Sequence, residues 1–284
     1  MLNINIILTN KCNLSCKYCF YTEGYKCFEK KEFLNQNKLL SFIKKINNYD
    51  SINSIMITGG EPMLIKNITS IIKDLINYST EIILLTNGTL INDEHIEFFI
   101  NNNIYLQISL DSYKNKYHDS IRGNHKRTLE TLEKFSNLGY KNIDINFTAS
   151  PLNYKLISEV KNFAQLNNFG LNIGVIDSKN SRFNWNLVST EIKNDFLNLY
   201  IKNNKLDYKN KLLKYILFRK VEKEINCPSL NRFFTIDING NLTRCYNSII
   251  IGNIYYDDIN KIIENINNKE QYKCYIRNNC FTNI

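Results

Sequence analysis

The sequence predicts an α/β fold, a partial (β/α)6 TIM-like barrel followed by a small C-terminal α+β module. Six short runs rich in Ile, Leu and Phe recur at residues 3–8, 53–57, 82–85, 104–110, 143–147 and 171–175. Amphipathic stretches long enough for helices lie between them, at 35–46, 65–78, 93–101, 126–138 and 156–166. Past about residue 177 this alternation stops. Strand–helix alternation implies a parallel sheet with right-handed crossovers, and six units fall short of the eight that close a full barrel.

Taken in order, the elements place their polar motifs alike. The first run leads into Cys12, Cys16 and Cys19, the second into Gly59-Gly60-Glu61-Pro62, and the third into Thr86-Asn87-Gly88-Thr89; the fourth ends in Ser109-Leu110-Asp111. In such barrels the residues that do chemistry follow strand C-termini, so all four motifs fall on one rim. The chain divides into a barrel over 1–177, a helical connector over 178–224 and a module over 225–284. Within the connector, Leu212, Leu213, Ile216, Leu217 and Val221 recur at helical spacing among lysines, which puts the charges on an outer face. In the module, residues 232–238 and 241–246 read as strands joined by Asn239-Gly240, a strong hairpin signal.

Composition narrows the class. With 43% hydrophobic and 12% aromatic residues in 284, the chain can bury a sizeable core. No basic region with a long apolar stretch and cleavage site opens it, and no apolar run reaches the length of a membrane span. A cytoplasmic protein without a membrane partner is expected. The formal charge of +9 comes mainly from Lys in a chain also rich in Asn and Ile, a solvated basic surface rather than a nucleic-acid site. Eight cysteines without a secretory signal argue for metal or redox use over disulfides.

The triplet C-x3-C-x2-C at Cys12, Cys16 and Cys19 supplies three thiolates. Three hold three corners of a 4Fe-4S cubane and leave one iron open, where electron-transfer clusters usually take four cysteines. A zinc site with a His or Asp as fourth ligand is the alternative, but His95, His118 and His125 all lie far from the triplet in sequence. Together with Gly59-Gly60-Glu61-Pro62, the triplet resembles the radical S-adenosylmethionine (radical SAM) superfamily, and the resemblance extends over nearly the whole chain. On that resemblance Tyr18 and Phe20, which flank the last cysteine, suit the cofactor's adenine ring beside a cluster.

That resemblance implies a 4Fe-4S cluster on Cys12, Cys16 and Cys19 with S-adenosylmethionine at its open iron. One electron, from a donor such as flavodoxin or ferredoxin, would cleave the cofactor to a 5'-deoxyadenosyl radical, which takes hydrogen from a substrate carbon. It places the Gly59-Gly60-Glu61 loop at the cofactor's amino group, where glycines let the backbone approach closely; an ordinary strand–helix turn with Pro62 opening the next helix is the bland alternative. Ile108-Ser109-Leu110-Asp111 and Ile121-Arg122-Gly123 match the family branch in which Ser109 and Arg122 would contact ribose and carboxylate, except for Ser112 where Gly is usual. Arg122 alone also reads as a surface ion pair with Asp119 or Glu130, and Asn87 as a turn residue.

Cys227, twelve residues, Gly240, four residues and Cys245 resemble the first half of the auxiliary-cluster domain called SPASM, and of its shorter relative, twitch. Cys274 and Cys280 complete four thiolates, so one auxiliary 4Fe-4S cluster is the most that the resemblance implies. Their C-x5-C spacing departs from the family core, and buried inert cysteines are the alternative. Cys27 stands outside both groups, a structural thiol or a hydrogen donor to a substrate radical. The expected activity is radical modification of a ribosomally made peptide by cross-link, thioether or epimerisation. Dehydrogenation of a small molecule is the runner-up, and a non-catalytic iron–sulfur carrier the third reading.

Overall fold

Alternating apolar and polar residues build the first strand, β1 (Leu2–Ile7), which runs parallel to β2 (Ile52–Thr58) with Ile4 opposite Ile55 and Ile6 opposite Ile57. The computed structural model describes residues 1–19, 33–176, 182–203, 213–214, 217–218, 232–244 and 250–268. Helix α1 (Gln36–Tyr49) connects the two strands and is capped by Asn35, whose side chain accepts from the Lys38 N–H. A 3-10 turn at Pro62–Leu64 and α2 (Ile68–Ile76) lead to β3 (Ser79–Thr86). Then come α3 (Asp93–Asn101), β4 (Tyr105–Ser109), α4 (Asn115–Ile121), α5 (His125–Asn137), β5 (Ile143–Ala149), α6 (Ile157–Leu166) and β6 (Gly170–Val175). All six expected strands and five expected helices form, within a few residues at each end. The short α4 was not expected; it lies in the stretch between Asp111 and Arg122 that the sequence offered only as motifs.

Strands β1 to β6 lie side by side in reverse order, all parallel. The sheet stays open, as six units imply. One face carries Ile4, Ile6, Ile57, Leu84, Ile108, Ile145 and Phe147 into the core beside Leu39, Ile72, Phe99 and Phe135 of the helices. The alternate residues of the strands point to the other face, where Asn5, Thr58, Gln107, Asn146 and Thr235 are buried although polar. None of β1 to β6 contains Lys or Arg.

After β6 come α7 (Thr190–Asn203) and, inside the basic connector, helical residues at Leu213 and Leu217, both fully buried as their spacing predicts. The hairpin is shorter than expected, β7 (Phe233–Ile236) with β8 (Asn241–Thr243), followed by β9 (Ile250–Asn253) and α8 (Ile259–Asn267). Asp237 builds its turn by accepting from the N–H groups of Asn239, 2.8 Å, and Asn241, 2.9 Å, and Gly240 takes a φ of +79°.

The hairpin of the expected C-terminal module joins the barrel sheet through β7. This strand pairs parallel with β1, Phe234 beside Ile4 and Ile236 beside Ile6, giving nine strands in all among the described residues. The reason is that β1 would otherwise present an apolar edge, and a parallel partner covers it. Tyr255 strengthens the docking by accepting the Asn35 N–H at 3.0 Å, and Tyr49 donates to Asn267 at 2.9 Å. Among the described residues no helix is long and apolar enough to cross a membrane. Since Phe234 is 2% exposed, Phe234→Ala should cost about 3–5 kcal/mol in denaturant unfolding; a loss below about 1 kcal/mol would mean the hairpin is not held by this contact.

Candidate active site

The rim is assembled by backbone pairing that outlasts the strands. Leu8 N–H reaches Thr58 O, Gly60 N–H reaches Thr9 O at 2.7 Å and Glu61 N–H reaches Lys11 O at 2.8 Å, so the glycine loop is zipped to the segment entering the cysteines. Gly59 has a φ of +152°, and a Cβ on it would strike the Thr9 carbonyl; a Cβ on Gly60 would lie 2.6 Å from the Lys11 carbonyl carbon. Both glycines are therefore demanded by contact between two loops. Their bareness, expected from the sequence to admit a ligand, has this nearer cause in the fold.

Glu61 is 1% exposed and accepts three hydrogen bonds: Met63 N–H at 3.0 Å and Thr86 hydroxyl at 2.7 Å on Oε1, Asn87 N–H at 2.8 Å on Oε2. Burial pushes its carboxyl above its usual range, against these donors, which pull it down. A carboxylate has about four lone-pair sites, so Oε2 retains one for a cationic donor such as an amino group. Pro62 opens the 3-10 turn as a strand–helix connection would.

Asn87 links the third loop to the first. Its amide donates to Asn13 Oδ1 at 2.9 Å, its oxygen accepts from the Thr89 N–H and hydroxyl, and Asn13 donates back to Thr89 at 2.9 Å. Asn13 lies between Cys12 and Cys16, so Asn87 is both a turn residue and a fixing point for the cysteine loop. Sequence reasoning missed Asn13 and Thr89; the Thr-Asn-Gly-Thr word was the only signal for the latter.

Arg122 is not a surface residue. Its side chain is 11% exposed and pairs with neither Asp119 nor Glu130, but with Asp111, whose side chain is wholly buried, Nε to Oδ2 at 2.6 Å. Asp119 instead accepts the His125 N–H, helping to start α5. Nη2 of Arg122 contacts Asp111 Oδ1 at 3.5 Å and Thr148 Oγ1 at 3.1 Å, and Thr148 N–H donates to the same Oδ1 at 3.0 Å. The Tyr18 hydroxyl donates to Oδ2, and burial keeps that phenol protonated by raising its pKa well above the ordinary value. The Arg122 guanidinium lies 5.2 Å from the Tyr18 ring centroid and Phe183 meets the ring edge-on at 5.6 Å, so the ring expected beside an adenine is already part of an aromatic–cation stack.

Ser109 closes β4 half-buried, and its hydroxyl has no partner among the described residues. Ser112, where the family usually has Gly, is fully buried and does not need a positive φ; its hydroxyl accepts the Lys114 N–H at 3.0 Å and its carbonyl meets His125 Nε2 at 3.2 Å. His118 accepts the Asp111 N–H on Nδ1 at 3.3 Å and packs edge-on against His125. Burial pushes the His118 pKa down to about 4, although Asp111 acts in the other direction.

The cysteine loop carries its thiols on backbone contacts: Leu14 N–H to Cys12 Sγ at 3.4 Å, Cys19 N–H to Cys16 O, and Lys17 N–H to Ile121 O at the end of α4. Desolvation pushes the Cys12 thiol up to about 11 even though the residue is exposed overall, and burial raises that of Cys16 against the pull of Arg122. Such sulfurs become thiolates when a metal neutralises them. Among the described residues no three His, Cys, Asp or Glu side chains are placed to hold one ion. A cubane does not require that, because each thiolate binds a different iron. Three thiol donors fit a three-cysteine cluster. Cys27, Cys227, Cys245, Cys274 and Cys280 lie outside the described residues.

An open parallel sheet with a three-thiol loop after its first strand, a glycine-lined loop after its second and a buried guanidinium beyond its fourth defines a class of cluster-dependent enzyme folds. Residues 6–164 match the Radical SAM superfamily, more than half of the chain, and the chain belongs to that superfamily. Over 147 residues it is 31% identical to GTP 3',8-cyclase of Clostridium botulinum, covering 50% of this chain and 46% of the cyclase. It is 31% identical over 133 residues to the sporulation killing factor maturation protein SkfB of Bacillus subtilis, covering 45% of this chain and 31% of SkfB. The chain thus spans about half or less of the length of these curated relatives. In fold it is similar to SuiB of Streptococcus suis, solved with S-adenosylmethionine and with the precursor peptide SuiA; against the former the TM-score is 0.68 at 18% identity, over 91% of this chain and 64% of SuiB.

The His118 shift sets a pH dependence. Its folded pKa of about 4 lies below the unfolded value of about 6.5, so the unfolded chain binds the proton first. Stability should be unaffected above about pH 6.5 and fall by about 3 kcal/mol on acidification to pH 4. His118→Gln should flatten that part of the urea-unfolding profile, and an unchanged profile would show that His118 is not held neutral by burial.

Proposed function

We propose that the chain is a radical SAM enzyme that modifies a ribosomally made peptide. The observation that carries the cofactor assignment is the open edge of Arg122. Nε and Nη2 are occupied by Asp111 and Thr148, while Nη1 has no acceptor among the described residues, so its two N–H groups are free to donate to a carboxylate. Cys12, Cys16 and Cys19 would hold the cluster, and the cofactor's amino group would meet the remaining Glu61 lone pair beside Gly59 and Gly60. Ser109 would reach the ribose, Tyr18 and Asn87 would shape the adjoining walls, and Cys227, Cys245, Cys274 and Cys280 would hold an auxiliary cluster. When bound, cluster and cofactor supply reductive cleavage of the sulfonium and hydrogen abstraction from carbon. The protein's own contribution is to hold the carboxylate, keep the loop closed by Asn13 and Tyr18, and exclude water.

The polar face of the sheet supports a peptide. It offers carboxamides and hydroxyls beside the carboxylates of Glu81 and Asp144, with the Gln107 Oε1 buried and unpartnered, and β1 to β6 offer no cation to a phosphate. Neutral amides complement peptide groups, whereas a triphosphate calls for Arg or Lys. SuiB's precursor peptide points the same way. The second reading, action on a small molecule, is favoured by the likeness to GTP 3',8-cyclase.

Anaerobically reconstituted protein should bind iron and cleave S-adenosylmethionine under reduction. Replacing Cys12, Cys16 and Cys19 by Ala should remove about four irons per chain and all cleavage; zinc in place of iron would overturn the reading. Replacing Cys227 and Cys245 together should lower iron from about eight to about four while cleavage persists, and unchanged iron would mean a single-cluster enzyme. For the substrate, co-expression with a short peptide encoded beside the gene should change that peptide's mass; conversion of GTP by the purified enzyme would select the second reading.

A further inference from the structure

Asp111 touches none of the atoms that a cofactor carboxylate would meet, yet its buried carboxylate collects four donors from three separate parts of the chain. Tyr18 comes from the cysteine loop, Arg122 from the end of α4, and the Thr148 N–H from β5. Oδ1 takes Thr148 N–H and Nη2, while Oδ2 takes Nε and the phenol. A fork held by Nε and Nη2 can turn only its Nη1 side elsewhere, since the guanidinium is planar and rigid. The same carboxylate holds Tyr18, one residue from Cys19, and the neighbouring Lys17 N–H is bonded to Ile121 O, the carbonyl of the residue before Arg122.

We propose that Asp111 is the positioning residue of the cofactor site, aiming the free edge of Arg122 through Nε and Nη2 and tying that aim, through Tyr18, to closure of the cysteine loop. The inference rests on the radical SAM reading and deepens it. Asp111 acts through Arg122 and not on the cofactor, so its removal lowers cofactor affinity without removing the thiols. Thr148 shares the task, because its hydroxyl also accepts from Nη2, at 3.1 Å. Outer partners that orient a binding group typically matter by about 10–100-fold in affinity.

The test is equilibrium binding of S-adenosylmethionine to anaerobically reconstituted protein, read together with iron content and the change in the reduced cluster's electron paramagnetic resonance spectrum on cofactor addition. Asp111→Asn is near-isosteric and should keep wild-type iron, bind the cofactor about 10–100-fold more weakly and lose most of the spectral change. Arg122→Lys, which keeps the charge but not the fork, should weaken binding by a similar factor. If Asp111 works through Arg122, the double variant should bind no more weakly than the worse single one. Independent, multiplying losses would overturn the proposal, as would Asp111→Asn affinity within about twofold of wild type in that binding assay. Should Asp111→Asn fail to fold or to take up iron, Thr148→Val reads the same quantity: several-fold weaker binding at full iron supports the proposal, and unchanged binding refutes it. Wild-type protein that takes up neither iron nor cofactor would instead refute the radical SAM reading itself.

Discussion

The cysteine rim hangs on a carboxylate sealed from water. Asp111 has no exposed side-chain surface, and a charge in that position is tolerable only because Arg122 lies 2.6 Å away and the Tyr18 hydroxyl and the Thr148 N–H fill its remaining lone pairs. Removing either partner of such a pair leaves an uncompensated buried charge, at a cost of about 3–5 kcal/mol. The pair's value is mostly geometric, because it fixes in one place the end of β4, the end of α4, one strand of the open sheet and the cysteine loop. A pair of apolar residues would fill the same space without aiming anything.

Around this centre the loops support one another through neutral contacts. Gly60 and Glu61 extend the β1–β2 pairing past the strands, Glu61 gathers the 3-10 turn and the end of β3, and Asn87 with Asn13 closes the third loop on the first. Each of these polar groups is satisfied by a named partner, as buried polar groups generally are. Among the described residues Gln107 Oε1 and Thr235 Oγ1 on the polar face of the sheet, and Trp185 Nε1 beyond it, are buried without a hydrogen-bond partner.

The two faces of the sheet divide structure from chemistry. One is an aliphatic layer shared with the helices, made by the Ile and Leu of every strand. The other is amide-rich along β1 to β6, whose residues include no Lys or Arg.

Much of this was legible in the sequence. Period-two and helical apolar patterns fixed the six strands and five helices, and the cysteine spacing with Gly59-Gly60 fixed the rim, because those features depend on residues near one another in the chain. The hairpin turn at Asn239-Gly240 was readable for the same reason. What the sequence left open depends on groups brought together from afar: the pairing of Arg122 with Asp111 in place of Asp119 or Glu130, the Asn13–Asn87 tie, the contact that demands both glycines, and the docking of β7 on β1. A buried charge accepts a partner by distance and exposure, and a strand edge by register, and neither quantity exists until the chain has folded.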